Sequence, residues 1–387
     1  MTTYAPKDVT FVKGDGVWLW DEKNDQYLDA LSGIAVCGLG HAHPQIAEAI
    51  SNQANTLLHT SNIYRIAAQE KLGDLLCQIS QMERVFFSNS GAEANEAAIK
   101  LARLHGHACG IENPCIIVFE NSFHGRTMAT LTATGNRKAH AGFEPLLSGF
   151  IRAPFNDIST VADICSTNNN VCAILLEPIQ GEGGINVPDQ NYLSELRKLC
   201  DQHNLLLMLD EIQTGNGRTG KWFACQHTHV VPDVMTTAKG LGNGVPIGAC
   251  LASGKAAELF SPGTHGSTFG GNPLACTTAL AVLNTIQTQQ LLDNAHNMGK
   301  LLIEQLKSKL SNETLVKDIR GQGLMIGIEL TQDCAEIVDL ALSKKVLINV
   351  TAGNVIRILP PLIINADQIT QITECITQCI ESLKNKH

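Results

Sequence analysis

The chain has 387 residues, 44% of them apolar, and a net charge of −9, so it can bury a large core divided into two or three compact units. Its 28 basic residues are scattered rather than gathered on one face, which argues against nucleic acid as a partner. The apolar runs are strand-sized, too short for a membrane span, and the start Met1-Thr2-Thr3-Tyr4 lacks a signal-peptide apolar region; a cytoplasmic protein without a membrane partner is expected.

In chain order, Gly14-Asp15-Gly16 reads as a turn, and Val17-Trp18-Leu19-Trp20 and Tyr27-Leu28-Asp29 read as a hairpin about Glu22-Lys23-Asn24-Asp25. From about 45 to 275, helical periods alternate with the apolar runs Val85-Phe86-Phe87, Ile116 to Phe119, Ala173 to Leu176, Leu205 to Leu209 and Ile247 to Cys250. This alternation predicts an α/β unit with a mostly parallel sheet. A long helical stretch then leads to the runs 327–330, 346–349 and 355–359 and a closing helix, the pattern of a smaller α+β unit. The expected division is an N-terminal segment 1–44 packing with the small domain, a large domain 45–275 and a small domain 276–387. Thirteen cysteines, odd in number and lodged in apolar contexts, read as reduced core thiols. Neither Cys-x-x-Cys nor further ligands near His41-Ala42-His43 or His227-Thr228-His229 occur, so no metal is expected.

The run Leu205 to Leu209 ends in Asp210, which a buried parallel strand would deliver to the ligand-binding edge of the sheet. Lys239 lies between Ala238 and Gly240, where a carbonyl cofactor could reach its amine as a Schiff base. Lysine for an aldehyde and carboxylate for a pyridinium nitrogen together suggest pyridoxal phosphate; alone, the pair is equally compatible with a capping aspartate and a turn lysine. Ser90-Gly91-Ala92-Glu93 opens a helix whose first amides can hold a phosphate, and the same residues also make a capping box. No Walker or dinucleotide glycine fingerprint is present, which disfavours ATP and NAD. After the strand 116–119, Phe123 can stack on a flat ring and Arg126 can fork onto a carboxylate. The stretch His265 to Pro273 is too glycine-rich for a helix, and its hydroxyls suit a phosphate or a plain turn.

In this order the pieces resemble the class III, pyridoxal-phosphate-dependent ω-aminotransferases over nearly the whole chain. The matching segments are 90–96, Phe123-His124-Gly125-Arg126-Thr127, Glu177-Pro178-Ile179-Gln180-Gly181-Glu182-Gly183-Gly184, 210–220, Lys239 and 266–273. Segments 33–44 and 356–362 are most similar to the branch of the family that uses N-acetylornithine. The resemblance implies fold type I, with a mostly parallel seven-stranded sheet in the large domain. It implies pyridoxal 5'-phosphate joined to Lys239, which would also shuttle the proton. Asp210 would serve the ring nitrogen, with Glu211 and Ile212 beside it, Gln213 the ring hydroxyl, Phe123 the ring face, and Ser90, Gly91 and Ala92 the phosphate. Thr268 would reach the phosphate of a neighbouring subunit, implying a homodimer with shared active sites. Arg126 and Ser267 would bind substrate, and Glu182 would neutralise Arg357 until glutamate or 2-oxoglutarate brings a carboxylate for it.

The implied reaction moves the δ-amine of N-acetylornithine to 2-oxoglutarate, in arginine biosynthesis. Succinylornithine, succinyl-diaminopimelate, ornithine and 4-aminobutyrate are neighbouring donors, and a glutamate-semialdehyde mutase is the alternative on the same scaffold. A non-catalytic scaffold would lack the joint presence of Lys239, Asp210 and Arg126. Two departures stand out: Asn216 occupies a position that is often apolar in relatives, and Arg65 lies near the expected substrate site, where it would shift the donor preference.

Overall fold

A computed structural model describes residues 1–384; the last three positions of the predicted small domain lie outside the described residues. The central sheet has seven strands in the order Arg84–Ser88, Gly248–Ala252, Val234–Thr237, Leu206–Asp210, Val171–Leu176, Cys115–Phe119 and Phe150–Ala153. All neighbouring pairs run parallel except those made by Gly248–Ala252, which is antiparallel to both of its neighbours. The predicted α/β architecture is therefore present.

Its construction follows the two-residue period of a strand. Ile117, Phe119, Ile174, Leu176, Leu207 and Leu209 enter the core on one face, and Ile116, Val118, Ala173, Leu175, Leu206 and Met208 enter that on the other. Both faces are dry, which is why these strands read as unbroken apolar runs. Each fully buried leucine or isoleucine contributes roughly 1.5–3 kcal/mol through its side chain. On the second face lies the helix Gly91–Ala108, whose buried stripe of Ala94, Ala97, Ala98, Leu101 and Ala102 lets it approach the sheet closely.

Two strands of this sheet have no counterpart in the sequence reading. Val234–Thr237 is four residues long and ends in two threonines, and Phe150–Ala153 is an edge strand carrying Arg152, so neither shows a long apolar run. The N-terminal hairpin pairs Trp18–Asp21 with Gln26–Asp29, and the unpredicted strand Phe11–Asp15 joins it across Gly16, whose φ of 56° suits the turn. The predicted run 346–349 is not one strand. Val346–Leu347 pairs parallel with Gln26–Asp29, whereas Asn349–Thr351 enters a separate sheet with Val355–Ile358, Met325–Leu330 and the unpredicted Val316–Gln322. Val17, Leu28, Ala30, Leu39 and Ile46 share one apolar core with residues from Val282 to Leu383, so the first segment and the C-terminal elements bury each other. The helix Pro273–Thr288 spans the two cores: Ala275, Cys276, Ala279 and Leu283 belong to that of the large sheet, Val282 and Ile286 to the other.

The cysteines are all free thiols among the described residues, and most are buried. His41 Nε2 donates to the Asp29 carboxylate at 2.8 Å, and that contact lifts the imidazole to about 9. His41 thus serves the N-terminal fold. Among the described residues no helix is long and apolar enough to cross a membrane, and no group of three or more ligating side chains is placed to hold a metal ion.

Candidate active site

Asp210, Lys239, Phe123 and the start of the helix Gly91–Ala108 meet in a cleft of about 400 Å³ at the carboxyl edge of the sheet. Ser90, Gly91, Ala92, Arg126, Ile212 and Gln213 also line it, with Val36 contributed by the N-terminal segment. Ser90 caps the helix by accepting from Glu93 N at 3.2 Å. The Glu93 carboxylate turns back one residue further than a standard capping box, to Asn89 N at 2.6 Å. A Cβ at position 91 would come within 2.8 Å of Ile212 Cδ1, so only glycine lets the helix start lie this close to the cleft wall.

Asp210 is 3% exposed and held from three sides. Its Oδ2 accepts from Asn95 Nδ2 at 2.7 Å and lies 2.7 Å from His124 Nδ1, while Oδ1 accepts from Ile212 N at 3.1 Å. Asn95 is itself fixed by Thr236, whose hydroxyl donates to Asn95 Oδ1 at 2.7 Å. Helix, strand end and the Phe123 loop thereby converge on one carboxylate. Neither Asn95 nor His124 announces this role by residue type or spacing; their signal is that both lie in segments that match the family pattern.

Lys239 follows the strand Val234–Thr237 after one residue, Ala238, with a φ of 46°, a left-handed conformation that costs a non-glycine residue roughly 1–3 kcal/mol. Burial pushes its amine below the usual lysine range; Glu182 opposes that shift and Arg357 adds to it. Asn216 supports this backbone through hydrogen bonds from Nδ2 to Thr237 Oγ1 at 2.8 Å and Ala238 O at 3.1 Å. The amide at this position is therefore a brace beside Lys239, on a left-handed residue (φ 55°) where asparagine is well tolerated.

Arg357 is fully buried, and its Nη1 donates to Glu182 Oε1 at 2.6 Å and to Gln213 Oε1 at 3.3 Å. Nε donates to Asn349 Oδ1 at 3.1 Å, while Nη2 has no partner among the described residues. The turn bearing Glu182 is tied to the C-terminal sheet by Arg320, which donates to Gly184 O at 2.7 Å and Ile185 O at 2.9 Å. Glu182 and Arg357 stand beside the cleft rather than in its lining. Glu182 faces an adjoining cavity of about 710 Å³ that shares Phe123 with it. Arg126 is exposed at the mouth, its guanidinium 5.7 Å from the centre of the Phe123 ring.

Glu211, Ser267 and Arg65 lie outside this chain's cleft, and Thr268 faces outward, as contact with a neighbouring subunit's phosphate would require. Glu211 points away from the cleft: buried behind Asp210, it accepts from Ala224 N at 2.9 Å, Cys225 N at 2.8 Å and the Thr214 hydroxyl. Alternate residues of an extended chain face opposite ways, so the residue after Asp210 serves the fold. Ser267 and Thr268 lie in a neighbouring surface cavity with Ser88, Asn89 and Glu93, because Asn62 holds their segment outward through Ser267 O and Gly270 O. Arg65 forks onto Glu70 at 2.7 and 2.9 Å, exposed and outside this chain's cleft.

The donor set fits pyridoxal phosphate: helix-start amides at one end, a carboxylate held by buried hydrogen-bonding groups at the other, the Phe123 and Ile212 side chains between, and a lysine of lowered basicity. Comparison with known proteins agrees with this geometry. The family description of class-III aminotransferases matches residues 3–380. The acetylornithine aminotransferase of Nitrosomonas europaea is 59% identical over 99% of this chain and 98% of its own length. Acetylornithine aminotransferase 1 of Bordetella pertussis is 50% identical over 98% and 96%. Among solved structures, an acetylornithine aminotransferase from Elizabethkingia anophelis superposes with a TM-score of 0.90 at 36% identity, covering 99% of this chain and 96% of that one. The ornithine aminotransferase of Toxoplasma gondii gives 0.96 at 32% identity, covering 100% and 93%. With its family description matched almost end to end and its lysine, carboxylate and helix start around one cleft, the chain belongs to the class-III aminotransferases.

Proposed function

We propose that the protein transfers the δ-amine of N2-acetyl-L-ornithine to 2-oxoglutarate, giving N-acetyl-L-glutamate 5-semialdehyde and L-glutamate, with the reverse direction serving arginine biosynthesis. It would act in the cytoplasm as a homodimer. The observation that carries this reading is a buried arginine, Arg357, neutralised by Glu182 beside a cleft that holds both Lys239 and Asp210. The identity of the relatives supports the donor.

Pyridoxal 5'-phosphate, when bound, supplies an electron-withdrawing ring that carries the amine between the two substrates. Lys239 Nζ, less basic than a free lysine, would take the proton from the carbon that gives up its amine and, in the second half-reaction, supply a proton to the carbon that receives the amine. Asp210 holds the proton of the ring nitrogen, and Gln213 the ring hydroxyl. The amides at Ser90, Gly91 and Ala92 bind the phosphate, and Thr268, facing outward, is available to the phosphate of a second subunit. Arg126 at the mouth takes the distant α-carboxylate of acetylornithine. Arg357 takes the α-carboxylate of 2-oxoglutarate or glutamate once Glu182, itself 37% exposed, swings away.

A panel of donors with 2-oxoglutarate tests the assignment: the highest kcat/KM is expected for N-acetylornithine, and a higher value for ornithine or 4-aminobutyrate would reject it. Turnover without 2-oxoglutarate would indicate a mutase. The gate has its own test. Glu182→Ala frees Arg357 for any α-carboxylate, so single-turnover rates should shift in favour of glutamate over acetylornithine. Arg126→Ala should chiefly slow acetylornithine. Leaving a buried arginine unpaired also lowers stability, by less than a fully enclosed pair would because water reaches Glu182. The rates are therefore compared on folded, cofactor-loaded variants, and equal losses for both substrates in Glu182→Ala would exclude the gate.

A further inference from the structure

Glu177 is a third carboxylate at this edge of the sheet, and the steps above do not use it. It directly follows the buried strand Val171–Leu176, as Asp210 ends the neighbouring strand, and it is 6% exposed in the wall of the cleft. Its two oxygens serve different loops: Oε2 accepts from Phe123 N at 3.0 Å and Oε1 from Gly181 N at 3.2 Å. One arm thus fixes the residue expected to cover the ring, and the other fixes the turn that leads to Glu182. The side-chain amide of Gln213 lies against that turn, where a Cβ at Gly181 would come within 2.2 Å of its Oε1.

We propose that Glu177 is a positioning residue whose ionised carboxylate holds the Phe123 loop and the Glu182 turn in register, so that the protonation of one buried acid sets the geometry of both. A carboxylate accepts at both oxygens, whereas a carboxylic acid turns one of them into an O–H donor. On protonation one of the two amides is therefore left with the weaker acceptor of a hydroxyl oxygen. Burial raises the acid to about 7; His124 lowers it, Asp210 raises it, and the two amide hydrogen bonds lower it. Lys239 across the cleft feels the same charge. The switch between one and two strong arms thus falls near neutrality.

The sign of the stability effect follows. A raised folded-state value means that the folded protein holds this proton more tightly than the unfolded chain does, so the stabilisation is complete below the ordinary range of glutamate and is lost as the pH rises through about 7. The working, ionised form is the less stable one. Because this linkage acts whatever the side chain does for the reaction, it is the pH limb of kcat/KM that separates a positioning role from a merely structural one.

The inference rests on the cleft being the site of amine transfer, and its test has an arm independent of that reading. Glu177→Gln cannot ionise and keeps a single acceptor. In protein free of cofactor and substrate, its Tm relative to wild type is expected to move in the variant's favour between about pH 6 and about pH 8.5, because only the wild type ionises there. In loaded enzyme, kcat/KM should fall about 10- to 100-fold for both half-reactions, with the limb near neutrality gone from the pH profile. A Tm difference that stays constant across that range overturns the proposal, and so does a variant with wild-type rates. Glu177→Asp covers the case in which the glutamine variant does not fold: it still titrates but is one methylene too short to span both amides. It should be slow while keeping the pH limb, and wild-type rates there also overturn the proposal. Failure of every amino donor would reject the functional reading and leave Glu177 to the Tm comparison.

Discussion

Replacing Lys239 by alanine is expected to leave a folded protein that still takes up the cofactor but turns over slower by about 10²–10⁴-fold, the usual contribution of a positioned acid–base group. The fold should survive because Lys239 lies in a three-residue helical turn, Lys239–Leu241, and the neighbouring backbone is braced independently by Asn216. Alanine is no better suited than lysine to a φ of 46°, so the backbone cost remains while the amine is lost. Single-turnover rates on the purified variant check this. In the wild type, borohydride reduction of the loaded enzyme should fix the label on Lys239, and peptide mapping to any other lysine would remove the residue from its assigned role. Near-normal turnover of Lys239→Ala would do the same.

Replacing Asp210 by asparagine should have an effect of comparable size for a different reason. The ring nitrogen keeps its proton only against a carboxylate, so losing the charge should lower turnover by ~10²-fold or more. The surroundings sharpen the expectation about stability. Asp210 accepts from Asn95 and Ile212 on its two oxygens, with His124 Nδ1 also 2.7 Å from Oδ2. An asparagine can offer an acceptor to one side only, and its own N–H₂ must face a donor on the other. About 1–3 kcal/mol of stability should be lost through that unsatisfied contact, read from chemical denaturation of the cofactor-free protein. A variant with wild-type stability and a large rate loss would mean that the network rearranges without penalty. Wild-type turnover would make Asp210 a purely structural residue.

Much of the large domain was legible in the chain because its strands are buried on both faces. Leu206–Asp210 and Val171–Leu176 must be apolar at every position but the last of the former, and such runs stand out in a sequence. Strands that lean on neighbours for their pairing leave no such mark. Phe150–Ala153 keeps Arg152, whose guanidinium donates to Thr132 O and Ala133 O, and the run 346–349 divides between two sheets although nothing in its composition announces a break. Among the site candidates, spacing and residue type indicated Asp210, Lys239 and the helix start at Ser90, and the cleft gathers these together. They could not indicate what Glu211, facing the opposite way from Asp210, would meet there, since the amides of 224 and 225 are brought to it only by the fold.

What the sequence determined by itself is the set of chemical groups: a lysine among small residues, a carboxylate closing an apolar strand, a capped glycine-bearing helix start and the motifs that bind these to one family. These are local properties, fixed by residue type and by periods of two and 3.6 residues. Only the tertiary structure decided which groups share an environment. It joined Arg357 to Glu182 across 175 residues, set Asn95 and His124 against Asp210, and drove Glu177 into a dry wall where its acid rises to about 7. Burial and charge proximity depend on the folded distances between elements far apart in the chain, and no local pattern encodes those distances.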